Sequence, residues 1–433
     1  MDALNVIYDR FINPIAEKNS RNVGTELEFP LLNMARCPVD KSVAQGFLKR
    51  LVSEDFTVDD TDTDGNPAFV VNADGDCISY DNSYNNIEFS MNYGANLTEI
   101  RDRFYALYDR ARSYFEPFGY VIAGLGCNPY KDYIETSHVS YPVYNMVQEY
   151  LTEFDCDKTH NYPDFPAYLS SVQTHLDISA AGAGETADFF AKMDFAAAFL
   201  FANSLAFDGS DYLCFRDYLW ENSAFGLLNG NTGCHDTLMR NADGVAGSFL
   251  QRSMFNRIRN GTYEVFPPVS LENYFDRAGA KADDIRQFLS FRNIEITARG
   301  TLEIRSTCTQ PVSEAFCAPA FYLGLMNNFE CAVGTVDGFF GEYGITEKNS
   351  VLRKAAIRGK LPEGVDKNGM IRLLTSLVRI AEKGLENRKL GEEFMLKPLT
   401  ARAQKLESPA LAAKRRLEAG ESIENIIRDY SKI

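Results

Sequence analysis

The hydrophobic and polar positions of this chain alternate in four short stretches that lie far apart in the sequence. In VGTELEFPLL, residues 23–32, Glu26 and Glu28 fall on one face of an extended strand and Leu27 and Phe29 on the other. The same alternation returns in NNIEFS (85–90), SVQTHLDI (171–178) and TLEIRS (301–306). Four strands with one apolar and one ionisable face predict an antiparallel sheet that helices cover on one side and that faces a cavity on the other.

The polar faces of these strands carry ligands that suit divalent cations. In chain order they present Glu26, Glu28, Glu88, Gln173, His175, Asp177, Glu303 and Arg305. Carboxylates ~4 Å apart repel by about 4 kcal/mol per pair at an intermediate dielectric, so the crowding is tolerable only with cations present. Oxygen ligands with one imidazole favour Mg²⁺ or Mn²⁺ over Zn²⁺. An acidic cavity of this kind is typical of proteins that handle nucleotide phosphates.

Helical periodicity fills most of the chain between these strands. It predicts helices over residues 2–16, 40–52, 97–115, 141–154, 185–206 and 316–333, and two amphipathic segments over 371–386 and 410–429. Further strands are predicted at 69–71 and 120–125, and a hairpin at 291–306 that turns at Arg299-Gly300. There is no repeat and no linker, so we expect one α+β domain over residues 1–433, helical from about residue 350 onward.

Two acidic features lie outside the four strands. From Asp60 the sequence has the DxDxDG pattern of a calcium loop, but Val71 stands where the bidentate Glu is needed and Pro67 interrupts the helix frame. We assign this run to turns, with a loosely held ion as the alternative. Asp81 precedes Glu88 by seven residues, a spacing that lets it fold back to the same cavity.

Composition and charge narrow the class of protein. The chain of 433 residues is 45% hydrophobic and 24% charged, which is typical of a globular protein with a large core. A net charge of −16 without a basic stripe argues against a nucleic-acid partner. No apolar run is long enough to span a membrane, and the N-terminus has no export signal. Nine Cys without a CxxC pair predict reduced thiols in a cytoplasmic protein.

Several segments, in order, resemble the glutamate-cysteine ligases of the plant and proteobacterial type, a branch of the glutamine synthetase-like carboxylate-amine ligases. GTELEF is similar to the family's G-x-E-x-E strand, IEFS to its E-x-S element, and SSVQTHLDIS to its T-V-Q-V-N-L-D segment. FANS (201–204), RDYLW (216–220), TLEIRS and PAFYLGLM (319–326) continue the resemblance, which spans residues 21–330.

This resemblance implies a fold and a reaction. The fold is a curved antiparallel funnel of the glutamine synthetase catalytic-domain type, with helices outside and ATP bound with Mg²⁺ or Mn²⁺ inside. The reaction joins the γ-carboxylate of glutamate to an amine, by default cysteine, through a γ-glutamyl phosphate, as in glutathione biosynthesis. The implied partners are small molecules, with neither nucleic acid nor membrane, and the oligomeric state stays open.

The resemblance also implies roles for individual residues. The metal ligands would be Glu26, Glu28, Asp81, Glu88, His175 and Glu303, with Asp81 included by spacing alone. The catalytic residues would be Arg305, at the transferred phosphoryl group, and Glu303; the substrate-binding residues would be Arg216, Gln173 and Trp220. Simpler interpretations remain: His175 as a sheet histidine, Arg216 as a surface ion-pair partner, and Glu303 and Arg305 as partners of each other.

One segment departs from the family's pattern. Residues 142–146, PVYNM, stand where the family has a basic R-Y-R-x-M element, and they contain no Arg. Because that element contributes to substrate recognition, the sequence leaves the amine acceptor open between cysteine and another amino acid or amine. The alternative from a different class of function is a catalytically silent protein that binds nucleotide or amino acid as a regulator.

Overall fold

A computed structural model describes residues 2–16 and 22–433 and contains helices and antiparallel strands, an α+β arrangement. The strands are β1 (Val23–Asn33), β2 (Thr57–Thr61), β3 (Pro67–Val71), β4 (Cys77–Tyr80), β5 (Asn86–Gly94), β6 (Tyr120–Ile122), β7 (Val172–Asp177), β8 (Thr232–Gly233), β9 (Ser253–Arg259), β10 (Thr262–Ser270), β11 (Phe291–Arg292), β12 (Ile294–Ile296) and β13 (Thr301–Ile304). The helices are α1 (Ala3–Ile7), α2 (Asn13–Ala16), α3 (Lys41–Glu54), α4 (Leu97–Phe115), α5 (Pro142–Glu153), α6 (Ala183–Phe201), α7 (Phe215–Glu221), α8 (Ala242–Leu250), α9 (Leu271–Phe275), α10 (Cys317–Asn327), α11 (Phe329–Tyr343), α12 (Asn349–Ala356), α13 (Lys367–Arg388), α14 (Lys397–Lys405), α15 (Pro409–Glu418) and α16 (Ile423–Tyr430).

Nine strands form the main sheet of the described residues. Their order is β12-β13-β7-β1-β5-β4-β3-β2, and β6 pairs with the far end of β1. The four strands expected from the alternating pattern, β13, β7, β1 and β5, are consecutive neighbours and antiparallel, which confirms that they share one sheet. The sheet does not close on itself among the described residues, and the funnel form that the sequence resemblance implies stays a prediction. Smaller ribbons pair β9 with β10 and β8 with β11.

The apolar face of the central strands packs against α4. Phe29 of β1 and Phe89 of β5 are fully buried, with ring centroids 6.2 Å apart. Phe104 of α4 lies 5.7 Å from the Phe29 ring and 5.4 Å from the Phe89 ring. Burying each such ring contributes roughly 1.5–3 kcal/mol, so this cluster fixes which face of the sheet is inside. The alternating residues of β1, Glu26 and Glu28, consequently point to the opposite face.

The C-terminal helices pack on one another and on the sheet layer. α10 crosses α13 so closely that a Cβ added to Gly384 would lie 1.9 Å from the carbonyl oxygen of Gly324. Two predicted helical segments are each divided: residues 316–333 form α10 and α11, which meet at Asn328, and residues 410–429 form α15 and most of α16. At Asn328 the backbone leaves the helical region, with φ −135° and ψ 44°. Within the described ranges, no helix combines the length and the apolar character needed to cross a membrane.

Candidate functional site

The strand register brings the predicted polar residues into rows across the sheet. Glu303 of β13 pairs with His175 of β7, and His175 pairs on its other side with Gly24 of β1. Gly24 has no side chain, so this row leaves room beside the imidazole. The next row along β1 is that of Glu26, and in the row after it Glu28 pairs with Glu88 of β5. Directly opposed residues of an antiparallel pair have Cβ atoms about 4.5–5.5 Å apart, so two carboxylates meet here.

Glu26, His175 and Glu303 form a tight group where the first two rows meet. Each can offer one ligand atom, and these atoms all lie within 4.8 Å of one another. His175 Nε2 is 3.3 Å from Glu26 Oε1 and 3.6 Å from Glu303 Oε1. On the other side of the ring, Nδ1 lies 3.3 Å from the hydroxyl of Thr301.

The surroundings of His175 Nε2 test whether this group suits a metal ion. It is buried and lacks a hydrogen bond of acceptable geometry, despite its closeness to Glu26. A buried imidazole nitrogen that faces two carboxylates, with the opposite nitrogen near a hydroxyl, suits a ligating histidine. The donor set fits Mg²⁺ or Mn²⁺, and metal binding here stays a prediction.

The charges of this group stabilise one another. Burial alone would raise the pKa of Glu26, but His175, Arg299 and Arg305 outweigh it and hold the pKa of this carboxyl below its usual range. Burial would conversely lower the pKa of His175, whereas Glu303 and Glu26 raise the pKa above its ordinary value. In the metal-free protein the imidazole and these carboxylates therefore favour one another's charged forms.

A second group of acids adjoins the first. Burial, together with the charge of the neighbouring Glu28, raises the pKa of Asp81 to about 7. Burial, with Glu26, Asp81 and Glu28 nearby, raises the pKa of Glu88 well above its ordinary value. Glu28 is the best-supported member, since Oε2 accepts a 2.7 Å hydrogen bond from the backbone N–H of Ser171 and Oε1 another from Gln173 Nε2. Among the described residues, two arginines are the cations that balance the charges of these carboxyls.

Those two arginines are Arg305 and Arg216. Arg305 Nη1 donates to Glu303 Oε1 at 2.7 Å, so the simple pairing anticipated for these residues is present. Arg305 Nε is buried without a hydrogen-bond partner. Arg216 of α7 is only 8% exposed, so it is not a surface ion-pair partner. Among the described residues its guanidinium has neither a hydrogen bond nor an ion pair and lies close enough to Glu28 to lower that carboxyl's pKa, against the larger opposing effect of burial.

Two cavities open on either side of the Glu26 carboxylate. The inner cavity, of about 180 Å³, is lined by Glu26, Glu28, Asp81, Asn82, Glu88, Tyr144, Val147, Pro166, Leu169, Gln173, Arg216, Trp220, Phe291 and Arg305. The outer cavity, of about 850 Å³, is lined by Asn22, Gly24, Thr25, Glu26, Gly75, Cys77, Ser90, Met91, Asn92, Tyr93, His175, Asp177, Arg299 and Thr301. Both linings include Glu26, so the acidic residues separate a large compartment from a small one.

Sequence patterns did not single out three residues of this site. Tyr144 of α5 lines the inner cavity near Asp81, and its hydroxyl donates to the carbonyl of Tyr80 at 3.3 Å. Asn82 lines the same cavity, and Arg299 Nη1 lies 3.1 Å from Glu26 Oε1. The sequence held one signal for these residues: Arg299 lies at a predicted hairpin turn, two residues before the strand that contains Glu303.

Comparisons with known proteins give a distant likeness only. No protein-family model matches the sequence, and a search of curated proteins finds no match. Among solved structures, a bifunctional glutathione synthetase from Pasteurella multocida is similar with a TM-score of 0.47 and 12% identity, over 99% of this chain and 53% of that one. A glutamate-cysteine ligase from Francisella tularensis in complex with AMP is similar with a TM-score of 0.47 and 12% identity, over 96% of this chain and 98% of that one. The chain thus spans about half the length of the first of these proteins. A likeness of this degree assigns no activity.

Proposed function

We propose that this protein is an ATP-dependent, ADP-forming ligase that joins the γ-carboxylate of glutamate to an amine through a γ-glutamyl phosphate. The observation that carries the proposal is the acidic cluster of Glu26, His175 and Glu303, whose member Glu26 lines two cavities of unequal size. A nucleotide needs the larger space, and the acid and amine need the smaller one. The phosphate to be transferred then lies between them, at the cluster.

The outer cavity is the proposed nucleotide site. At about 850 Å³ it has the size of a cofactor pocket, and Gly24 and Gly75 in its wall let a ligand approach the backbone closely. Tyr93, with 69% of its surface exposed at the rim, offers an aromatic face for a base. Arg299 lies 3.1 Å from the Glu26 carboxylate and can turn to phosphate oxygens when a cation takes that carboxylate.

Mg²⁺ or Mn²⁺ is the proposed resident metal. Glu26, His175 and Glu303 would hold one ion, and the carboxylates of Glu28, Asp81 and Glu88 would hold further ions. A bound divalent cation neutralises phosphate oxygens and stabilises the charge that develops during phosphoryl transfer. The residues themselves contribute preorganisation, because strands of one hydrogen-bonded sheet fix the carboxylate positions before ligands arrive.

In the inner cavity the chain's own residues position the acid. Within the described residues the guanidinium of Arg216 is unpaired and suits the α-carboxylate of glutamate, and the buried Gln173 Oε1 has no partner and suits its α-ammonium group. The γ-carboxylate oxygen then forms a bond to the γ-phosphorus of ATP as the bond to ADP breaks. Arg305, beside Glu303, stabilises the transferred phosphoryl oxygens.

The amine completes the reaction. Its nitrogen forms a bond to the γ-carbonyl carbon, and the carbon–oxygen bond to phosphate breaks. Starting from the ammonium form, one of the two protons lost from nitrogen ends on the released phosphate and the other is released to solvent. Cysteine is the first acceptor to test because the sequence resemblance implies it. A related ligase with another acceptor is the second candidate, favoured by the absence of Arg from residues 142–146.

Hydroxylamine trapping tests the proposed chemistry without knowledge of the acceptor. Hydroxylamine is small and uncharged, and it converts a γ-glutamyl phosphate to a hydroxamate, whose complex with iron(III) is coloured. We expect hydroxamate and ADP to form in equal amounts when ATP, Mg²⁺ and glutamate are all present, and neither to form when one is omitted. Glu28→Gln should lower the rate by on the order of 10²-fold or more, while Glu418→Gln, on the exposed side of α15, should not change it.

Two results would contradict the proposal. One is tight ATP binding without glutamate-dependent ADP or hydroxamate, which is the behaviour of a silent regulator. The other is undiminished turnover by Glu28→Gln with normal folding by circular dichroism, because the buried carboxylate would then have no part in the reaction.

A further inference from the structure

The wall of the inner cavity has an uneven distribution of charge. Its acids are Glu26, Glu28, Asp81 and Glu88, and its cations, among the described residues, are Arg216 and Arg305. Tyr144, Trp220 and Phe291 add aromatic surface, with the Trp220 and Phe291 rings stacked 4.2 Å apart. The cavity is therefore acidic and aromatic apart from two guanidinium groups.

Both guanidinium groups have a partner under the proposed function. Arg216 takes the α-carboxylate of the donor acid, since it is buried and otherwise unpaired within the described chain. Arg305 is tied to Glu303 at 2.7 Å and faces the transferred phosphoryl group. One guanidinium pairs with one carboxylate in bidentate geometry, so neither remains for a second carboxylate.

The helix that completes the wall adds no further cation. α5 contributes Tyr144 and Val147 to the cavity, and Val147 is 8% exposed. An acceptor carboxylate placed on this side would lie among apolar and phenolic groups, without a cationic side chain among the described residues. Burying a carboxylate in such surroundings is strongly unfavourable.

We infer that the amine acceptor is a short primary amine that has no carboxylate. Its carbon chain packs on Tyr144, Trp220 and Val147. A cavity of about 180 Å³, shared with the donor acid, limits the chain to a few carbons. The inference rests on the proposed function and specifies the acceptor of that same site.

Matched pairs of acceptors that differ by one carboxylate test this inference in the wild-type protein. The pairs are cysteamine with cysteine and ethylamine with alanine. With saturating ATP, Mg²⁺ and glutamate, we expect kcat/KM at least tenfold higher for the amine of each pair, with the γ-glutamyl amide identified by mass spectrometry. Equal or higher kcat/KM for the amino acids would overturn the inference.

Hydroxamate formation distinguishes failure of this inference from failure of the proposed function. If glutamate-dependent hydroxamate forms but only amino acids act as acceptors, this inference fails and the proposed ligase chemistry stands. If no hydroxamate forms and no amine in the pairs is used, the proposed function fails and the inference fails with it.

A cation placed in the wall provides a second test. Val147→Lys should lower the preference for cysteamine over cysteine at least tenfold, because the ammonium group can pair with the cysteine carboxylate. Rates are normalised to hydroxamate formation by the same variant, which corrects for any loss of folded protein. Thr152→Lys places the same charge on an exposed position of α5 and should leave the preference unchanged. An unchanged preference in active Val147→Lys would count against the inference.

Discussion

Glu88 shows, at the scale of one residue, how the buried acids of the inner cavity lower the stability of the metal-free protein. It pairs across the strands with Glu28 and lies near Glu26 and Asp81, yet its one side-chain hydrogen bond comes from Ser90, at 2.6 Å. Burial and these neighbours raise its pKa well above 4.5. The folded state therefore binds more protons than the unfolded state between the two pKa values, so stability falls as the pH rises through that window.

Glu88→Gln should consequently stabilise the metal-free protein while weakening its response to metal. The amide keeps the acceptor for Ser90 and removes the buried charge. In EDTA at pH 8 we expect a higher thermal unfolding midpoint than in the parent, and the difference should shrink as the pH approaches the ordinary carboxyl value of 4.5. With Mn²⁺ added, the midpoint of the parent should rise more than that of the variant.

The control for this prediction is Glu418→Gln, an exposed change that should leave the midpoint unchanged at both pH values. A Glu88→Gln midpoint at or below that of the parent in EDTA at pH 8 would mean that repulsion does not limit stability here.

The sequence made some residues of the site predictable and concealed others. Glu26 and Glu28 were predictable because alternation within one strand fixes their shared face. Tyr144 and Arg299 were not predictable. Tyr144 lies on a helix and Arg299 on a turn, and each reaches the site only because segments far apart in the chain pack together. A local sequence pattern carries no information about contacts between distant segments.

At the scale of elements, α12 anchors the end of β13 next to the site. Arg353 of α12 is 2% exposed; its Nε donates to Asp217 Oδ2 at 2.7 Å and its Nη2 to the Ser306 carbonyl at 3.1 Å. Nη1 donates to the backbone carbonyl of Asp194 in α6 at 2.7 Å. Since Ser306 directly follows Arg305, this helix helps to hold the strand that carries the catalytic candidates.

Arg353→Met should therefore be severely destabilising. It leaves Asp194 and Asp217 buried without their cation, a loss of about 3–5 kcal/mol for a broken buried pair. Urea unfolding followed by circular dichroism should show a much lower midpoint. Arg372→Met is the matched control, because Arg372 pairs with Glu342 at 2.9 Å with both side chains 58% exposed, and exposed pairs contribute about 0–1 kcal/mol. Equal midpoints for the two variants would contradict the anchoring role.

Most of the long helices and strands could be predicted from the sequence, but the way they pack and pair could be predicted only in part. α4 has the predicted bounds, because an amphipathic period and the Asn96 cap, which accepts from the N–H of Thr98 at 3.0 Å, mark its start. The sharing of one sheet by four strands was also predicted. Pairings of very short strands such as β8 with β11 were not, because two residues contain no usable period.

At the scale of the whole molecule, folding sorts the thiols by exposure. Cys37, Cys156 and Cys331 are exposed, whereas Cys127, Cys214, Cys308 and Cys317 are buried. Burial raises the pKa of the Cys127 and Cys317 thiols to about 12. The hydrogen bond between the Cys308 and Cys214 thiols lowers the pKa of Cys308 to about 7, but without access to solvent this does not make Cys308 reactive.

We expect three thiols to react rapidly with Ellman's reagent in the native protein and the four buried thiols to react only in denaturant. Cys37→Ser should remove one equivalent from the rapid phase. Rapid reaction of a buried thiol, identified by peptide mapping, would show that the core opens far more readily than its packing indicates.

The stacking of Trp220 on Phe291 in the inner cavity has a practical consequence. The sequence contains a single Trp, so the indole fluorescence of the whole molecule originates from one wall of that cavity. A ligand that fills this cavity, which is glutamate or an amine under the proposed function, should change the surroundings of this indole and alter its emission. The protein thus contains its own optical reporter, which follows the filling of the acid-and-amine compartment by titration, without label, nucleotide or turnover.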